Sequence, residues 1–278
     1  MKDIYYINSN NEKIDLLEPP YMMQTGEIFD VKWVYDSKSS ASGGSKISSL
    51  RKNLEERAVT LSIINFGKES YELAVNHFHE ITDIDVIRKS PGRLYVGDMY
   101  INCYVTESKK SNWESESEFM DVDLIIAVEY PFWIREHNIQ ILPKGVEQSS
   151  SGMDFPFDFP FDFSPRQSGV ATREINHYTS SHFKMRFYGP CVDPVVKING
   201  YPYQIYTVLK SGEYLEIDSR NHFVTKYMED GSTDNLYNSR SFDYSVFEKI
   251  PSGFLKFVWD GSFGIDLKLY LERSEPKW

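Results

Sequence analysis

The sequence has few cysteines, and no run of apolar residues in it is long. Only two cysteines, Cys103 and Cys191, occur in 278 residues. They fit neither a disulfide framework nor a metal knuckle, so we interpret both as small buried thiols. No apolar run could span a bilayer, and the N-terminus lacks a signal-peptide core. We therefore expect a protein that is made in the cytoplasm, is kept there unless released by lysis, and has no membrane partner.

Positive charge is also scarce. The chain has 30 basic and 41 acidic residues, for a net charge of −11, and the acidic residues are spread along its whole length. Phosphate neutralisation needs a basic stripe or patch, and none is present, which argues against specific nucleic-acid binding. An excess of acidic residues is typical of a surface that keeps a protein soluble.

Catalytic signatures are missing as well. The sequence contains no Gly-x-Ser-x-Gly elbow, Walker loop, dinucleotide fingerprint or His-Glu-x-x-His motif. A pair of acidic residues could serve a glycosidase, but 41 acidic residues always offer pairs. His77 and His79 are two residues apart in a predicted helix, so they point in different directions and do not predict a metal site. We expect no enzyme, no catalytic residue, no metal and no cofactor.

Aromatic residues are abundant, and this favours β structure. Phe, Trp and Tyr make up 15% of the chain, with 19 Tyr and 18 Phe. Up to residue 148 the alternation of apolar and polar residues predicts one mainly β domain with a single helix. The predicted elements are hairpins at 4–17 (turn 8–11) and 92–108 (turn 97–98), strands at 27–38, 57–66 and 119–134, a Ser/Gly-rich loop or arm at 37–49, and a helix at 68–85 with Ser70 as N-cap and Tyr71, Leu73, Ala74, Phe78 and Ile81 near one face.

The second half reads as a series of short antiparallel strands. Turn signals recur every eight to twelve residues or so, which is typical of a β-sandwich. The predicted elements are a strand at 181–189, hairpins at 194–209 (turn 199–200) and 213–228 (turn 220–221), a loop at 230–241, and two last strands within 253–273 around Asp260-Gly261.

The stretch SSSGMDFPFDFPFDFSP, residues 149–165, lies between these halves. Its phenylalanines alternate with aspartates and prolines, so an extended chain places every ring on one face; they are Phe155, Phe157, Phe159, Phe161 and Phe163. Pro156 and Pro160 cannot donate to a β-ladder, which argues against a central strand. We interpret the stretch as a strap whose rings cover a groove and fix two domains relative to each other. The alternative is a docking site for a partner protein.

A different function remains open at this stage. Exposed tryptophans on a sandwich face stack on sugars, and the candidates are Trp113, Trp133, Trp259 and Trp278. They would suit a stand-alone carbohydrate-binding β-sandwich protein involved in host-surface recognition. However, Trp259 lies in the alternating strand FLKFVWDG, where a core position is more common.

A series of short motifs resembles a known protein family. The first half contains Pro91-Gly92-Arg93-Leu94-Tyr95-Val96-Gly97. The second half contains Tyr188-Gly189-Pro190, Asp193-Pro194, Asn199-Gly200 followed by Tyr203, Gly212 to Asp218, Phe247 to Gly253, and Trp259-Asp260-Gly261 with Phe263. In order and spacing, over nearly the whole chain, these motifs resemble the distal tail protein (Dit) family of siphophages of Gram-positive hosts, also found in prophages and tail-like bacteriocins.

The resemblance implies a fold, a function and partners. It implies an N-terminal ring-forming belt domain at 1–148, with a sandwich or barrel-like fold, one helix and a β-hairpin. A connecting strap at 149–168 and a C-terminal galectin-like β-sandwich at 169–278 would follow. The belt would close into a homo-hexameric ring that joins the tail tube protein to the tail-associated lysin or tail-tip protein. In some phages receptor-binding proteins would attach at the periphery. The location would be the tail tip or baseplate of the virion, after assembly in the host cytoplasm.

Three finer expectations accompany the resemblance. The 37–49 segment is long enough to reach a neighbouring subunit, as belt arms in such rings are expected to do. The acid-rich chain would leave an electronegative lumen through which DNA slides without sticking. The galectin signature for sugar is absent, and Trp259 is followed by Asp-Gly-Ser. The sandwich would therefore be a scaffold rather than a lectin.

Overall fold

The protein folds into two compact units. The computed structural model describes residues 3–39, 43–65, 68–112, 118–144 and 169–277. The first unit comprises Met1–Arg135 and Glu272–Trp278, and the second comprises Glu136–Leu271. The chain thus passes from the first unit to the second once and then returns to the first for its last residues.

The first unit is built from short antiparallel strands and one long helix. Its elements are β1 (Ile4–Ile7), β2 (Lys13–Asp15), β3 (Leu17–Glu18), β4 (Tyr21–Gly26), β5 (Val34–Ser39), β6 (Ser45–Arg51), β7 (Glu55–Ile64), α1 (Lys68–Arg88), β8 (Gly92–Val96), β9 (Met99–Asn112) and β10 (Phe119–Val128). Strand β11 (Trp133–Ile141) begins in this unit and ends in the other.

Period-two alternation builds the core of the first unit. The strands β9, β10, β7, β4 and β3 lie side by side in that order, and β1 pairs with both β2 and β8. Along β7 the side chains of Val59, Leu61 and Ile63 are buried, and along β10 every second residue is buried in the same way. The predicted hairpins at 4–17 and 92–108 are confirmed.

The helix confirms the predicted element and corrects two details of it. Its buried residues are Tyr71, Ala74, Phe78 and Ile81, as the spacing predicts. Leu73 is 63% exposed, because it lies about 100° around the helix from its neighbours on the buried face. The helix begins at Lys68, so Ser70 lies inside the first turn and is not the N-cap.

Two strands predicted in this half have different first or last residues in the structure. The strand predicted at 27–38 begins only at Val34, and the one predicted at 119–134 ends at Val128, with a second strand starting at Trp133. Between them Phe132 donates its backbone N–H to the carbonyl of Tyr130, which closes a turn. A continuous apolar sequence therefore hides a break between two strands, both of which run antiparallel to β9, and periodicity alone does not reveal it.

The second unit is a β-sandwich, as predicted. Its remaining elements are β12 (Gly169–Ile175), β13 (His182–Tyr188), β14 (Cys191–Val192), β15 (Val195–Ile198), β16 (Tyr201–Gln204), β17 (Val208–Leu209), β18 (Tyr214–Asp218), β19 (Phe223–Tyr227), β20 (Thr233–Asn235), a 3₁₀ helix (Tyr237–Ser239), β21 (Gly253–Trp259) and β22 (Ile265–Arg273). One sheet has the order β20-β19-β18-β13-β22, and the facing sheet has the order β12-β21-β15-β16.

The sandwich core combines inward side chains of both sheets. Phe183, Met185 and Phe187 of β13 are fully buried, and they share one core cluster with Leu255 and Phe257 of β21. The two last strands, β21 and β22, do not pair with each other but belong to opposite sheets. Residues 230–241, predicted as a loop, contain the short strand β20 and the 3₁₀ helix.

The boundaries between the two units fall within strands β11 and β22 and not at the Phe/Asp/Pro stretch. The chain enters the second unit at Glu136, and residues 136–144 already belong to it. The five phenylalanines of the predicted strap lie outside the described residues. The residues on either side of the gap, Lys144 and Gly169, both belong to the second unit. The assignment of a ring domain, a strap and a galectin-like domain to 1–148, 149–168 and 169–278 stays a prediction.

Candidate assembly site

Strands β5 and β6 form an exposed hairpin, which we call the arm (residues 34–51). It is a two-stranded sheet of its own, and within the described residues neither strand pairs with any other strand. Every described residue of the arm after Val34 is exposed. A two-stranded hairpin alone is marginally stable in water, so a cover on one face would stabilise it. The Ser/Gly-rich loop predicted at 37–49 is therefore a β-hairpin wherever it is described.

One face of the arm is apolar. Tyr35 lies opposite Leu50, and Ser37 lies opposite Ile47, across an irregularity in register between Asp36 and Ser37. Because alternate residues point to the same face, the side chains of Tyr35, Leu50 and Ile47 lie on one side. They are 60%, 58% and 59% exposed. Three large apolar side chains on one face of a ribbon indicate a contact surface.

The other face of the arm is polar and fixes its register. The hydroxyl of Ser49 donates to Oδ2 of Asp36 over 2.7 Å, and the guanidinium of Arg51 donates to the same oxygen. These two donors, the Ser49 hydroxyl first, hold the pKa of Asp36 below its ordinary value. The polar network therefore commits the apolar side chains to the opposite face.

A lysine anchors the base of the arm. Lys52 donates from Nζ to the carbonyl of Pro131 over 2.8 Å. The same amine lies 5.6 Å from the ring centre of Trp33 and 5.1 Å from that of Phe132. Desolvation lowers the pKa of Lys52, as expected for an amine held against two rings. The anchor ties the base of the arm to the turn between β10 and β11.

The arm carries positive charge in an acidic protein. The arm, residues 34–51, contains Lys38, Lys46 and Arg51 against the single acidic residue Asp36, whereas the whole chain has a net charge of −11. Lys38 and Lys46 lie opposite each other near the tip of the hairpin. Both lysines share the face of Asp36, so the arm presents one apolar face and one basic face. Together the two faces are complementary to a partner surface that is acidic and apolar.

The first unit also has a groove of that kind. It has a volume of about 560 Å³ and lies between helix α1 and the turn from β3 to β4. Its residues are Lys13, Ile14, Asp15, Glu18, Pro19, Pro20, Tyr21, Asn65, Ser70, Leu73, Ala74 and His77. Tyr21 fixes one wall, since its hydroxyl donates to the carbonyl of Ala74 over 2.9 Å. The exposed Leu73 gives the groove apolar area. Lys13 is ion-paired with Asp15 at 2.8 Å, so Asp15 and Glu18 together leave the groove with one net negative charge.

One sheet face of the first unit is rich in carboxylates. On the solvent side of β7 and β10, Thr60 donates to Asp123 over 2.9 Å, and Ser62 donates to Asp121 over 2.5 Å. Lys109 lies opposite Asp123 on β9 and is paired with Glu107 at 2.5 Å. Of these charged side chains only Lys109 is cationic, so this part of the face is negative.

The site residues predicted from the sequence fall into two groups, those outside the described residues and those that are buried. The five phenylalanines Phe155 to Phe163, together with Trp113 and Trp278, lie outside the described residues. Trp133 is completely buried, and Trp259 is buried with its indole N–H donating to the carbonyl of Phe263 over 3.1 Å. Neither ring can stack on a sugar. The core position favoured for Trp259 is confirmed, and Trp133 was wrong as a carbohydrate platform.

The cysteines and histidines carry no site. Cys103 and Cys191 are buried free thiols, and burial raises their pKa values to about 12 and about 11. The prediction of small buried thiols is confirmed. His77 and His79 lie on helix α1, and burial lowers the pKa of His79. In the described part of the chain no three His, Cys, Asp or Glu side chains group as metal ligands, and no helix is long and apolar enough to cross a membrane.

Sequence reasoning missed the arm's apolar face. Tyr35 belongs to the strand predicted at 27–38, but Ile47 and Leu50 stand among serines and glycines, a composition that favours a loop. The register irregularity between Asp36 and Ser37 also breaks the period-two pattern that would have identified two strands. The available signal was the presence of large apolar residues in a segment otherwise typical of a flexible linker.

Comparison with solved structures identifies the fold. No protein-family model matches this chain, and no curated protein matches its sequence. The crystal structure of SPP1 Dit (gp 19.1), described as a paradigm of the hub adsorption apparatus in phages that infect Gram-positive bacteria, matches with a TM-score of 0.62 and 7% identity, covering 97% of this chain and 99% of that chain. This chain has the Dit fold.

Two further structures agree. The baseplate of phage P2 in its activated conformation, determined with Ca and with Sr, contains chains that match with TM-scores of 0.63 and 0.61. Each match has 10% identity and covers 99% of this chain and 100% of the other. Because the matches cover almost the whole chain, the Dit fold includes both units, and the predicted mainly β fold class with one helix is confirmed.

Proposed function

We propose that this protein is a structural, non-catalytic hub of a phage tail tip or of a related tail-like particle. In this role it forms a homo-hexameric ring that joins the tail tube to the host-adsorption apparatus. The observation that carries the proposal is the Dit fold over both units, in a chain whose first unit presents an arm with one uncovered apolar face among the described residues.

Ring closure requires two different surfaces on each subunit, because a cyclic interface of this kind is heterologous. The arm supplies one surface, and the groove beside helix α1 supplies the other. Lys38 and Lys46 of the arm complement Asp15 and Glu18 of the groove, and both surfaces are partly apolar. The arm of each subunit therefore docks in the groove of the next.

The carboxylate-rich face of β7 and β10 suits the inside of such a ring. Asp121 and Asp123 would repel the phosphates of passing DNA, so the lumen would not retain it. The ring would then have no specific nucleic-acid affinity, although DNA passes through it.

The second unit serves as a scaffold at the outside of the ring. The partners on this proposal are the tail tube protein on one side and the tail-associated lysin or tail-tip protein on the other. Receptor-binding proteins attach at the periphery. The protein is then located in the tail tip or baseplate of the virion, and its assembly takes place in the host cytoplasm.

The decisive experiment is the solution mass of the purified full-length chain, measured by light scattering, with negative-stain images of the same peak. Six chains of 32.4 kDa give a particle of about 194 kDa, and the images should show a ring with a central opening. A monomer of 32.4 kDa, both alone and after addition of the tail tube protein, would contradict the proposal.

Neither of the two described tryptophans supports the carbohydrate-binding alternative. Trp133 and Trp259 pack in the cores of the two units and present no ring to a ligand. We therefore advance no second function.

A further inference from the structure

The outward face of the sheet β12-β21-β15-β16 has apolar side chains without a cover among the described residues. Val170 of β12 lies opposite Val258 of β21. Val258 also lies opposite Lys197 of β15, and Lys197 lies opposite Pro202 of β16. These four residues form one row across the sheet. Phe254 lies on the same side of β21, four residues from Val258, and is 76% exposed. We call this set of residues, together with Lys256, the outer face.

Two lysines of the outer face are available for an ionic contact. Lys256 lies opposite Thr172, and Lys197 lies opposite Val258. Both are exposed. Across the described ranges neither amine lies within ion-pair distance of a carboxylate. The face therefore presents apolar area and two unpaired positive charges, with the exposed Glu174 opposite Phe254 as its acidic residue.

The Phe/Asp/Pro stretch leaves and rejoins the second unit at one point. Lys144 donates its backbone N–H to the carbonyl of Gly261 over 3.0 Å. A Cβ atom added at Gly261 would lie 3.3 Å from the nitrogen of Gly169 and 3.7 Å from the Cβ of Lys144. Gly169 is itself fixed, because a Cβ added there would lie 2.5 Å from the indole of Trp259. The 24 residues from 145 to 168 thus begin and end beside Gly261.

We propose that the outer face is the docking surface for this chain's own residues 153–163. Phenylalanines two residues apart recur about every 6.6 Å along an extended chain, the same interval as side chains on one face of a strand. Phe254 and Val258 are four residues apart on β21, about 13 Å, so rings that are four residues apart in the stretch match them, and Val170 lies beside Val258. Asp158 and Asp162 alternate with the rings and point away from the sheet into water, and the long stems of Lys197 and Lys256 add apolar area beneath the rings.

The tether favours docking within one chain. Phe163 is six residues before Gly169, so it reaches up to about 20 Å from the start of β12, whereas the row from Val170 to Pro202 spans roughly 14 Å. A tether this short raises the effective concentration of the stretch at the face to the millimolar range. Weak contacts can therefore hold the stretch on the face of its own chain, although the same contacts would be too weak to hold two separate chains together.

The proposal assigns the strap to one unit. The sequence suggests a strap that fixes two domains relative to each other, but Lys144 and Gly169 both flank Gly261 within the second unit. The chain passes between the units at Arg135 and Glu136. The docking is therefore independent of ring formation, and the two proposals can fail separately.

Photo-cross-linking of the full-length protein tests the contact. Benzoylphenylalanine replaces Phe159, which conserves an aromatic ring, and cross-linked peptides are identified by mass spectrometry from a mixture of ¹⁵N-labelled and unlabelled chains. We expect cross-links to β12 or β21 within one chain. Cross-links only to other surfaces, or only between labelled and unlabelled chains, would overturn the proposal. The latter result would identify a second copy as the occupant.

Protease access provides a second test. Chymotrypsin cleaves after Phe157, Phe161 and Phe163, which are not followed by proline. The variant F254S/K256E should be cleaved there about tenfold faster than the wild type, because the accessible population of the stretch rises. The control is F223S, which changes an exposed phenylalanine of β19 in the other sheet, and it should leave the rate unchanged. Equal rates for F254S/K256E and the wild type would overturn the proposal.

Discussion

At the scale of single residues, a buried carboxylate joins helix α1 to the first hairpin. Asp85 is fully buried and accepts a hydrogen bond from the hydroxyl of Tyr6 over 2.5 Å and one from the backbone N–H of Ser9 over 2.7 Å. Gly92 makes room for this pair, since a Cβ there would lie 2.1 Å from the Tyr6 hydroxyl. Removal of one donor would leave a buried charge partly unsatisfied.

The variant Y6F should therefore lower the free energy of unfolding by about 1–3 kcal/mol, measured by urea denaturation. The control is Y5F, which removes a hydroxyl from the neighbouring tyrosine while leaving its ring stacked on Tyr95 at 4.6 Å. That change should stay within about 0.5 kcal/mol. Similar losses for both variants would show that the hydrogen bond to Asp85 has no special contribution.

Asp218 gives the second unit a pH-dependent stability. Burial raises the pKa of Asp218, but donors from Asn221 and the charge of Lys184 outweigh burial and hold the pKa below its ordinary value. The amide of Asn221 donates to this carboxylate over 2.9 Å, and Lys184 lies 3.2 Å from it. A carboxyl whose pKa is lower in the folded state stabilises that state above its unfolded pKa. The contribution is lost as the pH falls through the folded pKa.

We therefore expect D218N to lower the free energy of unfolding by about 1–3 kcal/mol at pH 7, with the difference from the wild type shrinking below about pH 4. Urea unfolding at pH 7 and pH 3 measures this. The control D234N changes an exposed aspartate of β20 and should have an effect below about 0.5 kcal/mol. A D218N effect of the same size at both pH values would refute the argument.

At the scale of elements, the arm combines a stable polar face with an apolar face that contributes little to the stability of a single chain. Ile47 and Leu50 are more than half exposed, so I47S/L50S should change the free energy of unfolding by less than about 0.5 kcal/mol. The same variant should lose the ring in light scattering, because the apolar contact with the neighbour is gone.

The matched control for the arm is I87S, which removes an exposed apolar side chain from helix α1. It should retain the ring. If I47S/L50S still forms the ring, or if I87S loses it as well, the arm is not the specific contact.

The elements also show how far local patterns extend. Phe183, Met185 and Phe187 alternate with polar residues, so the strand and its buried face could be predicted from the sequence. The second strand of the arm, β6, could not, since its serines and its register irregularity conceal the alternation, whereas most of β5 lies within the strand predicted at 27–38. Leu73 was misplaced because a helical face was assigned from composition rather than from angle.

At the scale of the whole molecule, the proposed ring predicts a charge-exchange result. K38E/K46E places an acidic arm against an acidic groove, and D15K/E18K places a basic arm against a basic groove. Each variant alone should be monomeric because like charges then meet at every interface. The measurement is the mass by light scattering.

An equal mixture of the two variants should form rings again. The acidic arm of K38E/K46E then meets the basic groove of D15K/E18K. The unchanged arm of D15K/E18K meets the unchanged groove of K38E/K46E, as in the wild type. A ring of six subunits allows the two variants to alternate. If the mixture stays monomeric while each variant unfolds like the wild type, the arm and the groove are not partners.

Local patterns predict the mainly β composition, helix α1, most hairpins and the sandwich strands, because these depend on contacts between near neighbours and on a period of two or about 3.6. They do not predict which faces stay uncovered, because that depends on how the elements pack together. The boundary between the units falls inside β11, and the ends of the Phe/Asp/Pro stretch meet at Gly261. These features depend on contacts between residues far apart in the chain, which no local pattern encodes.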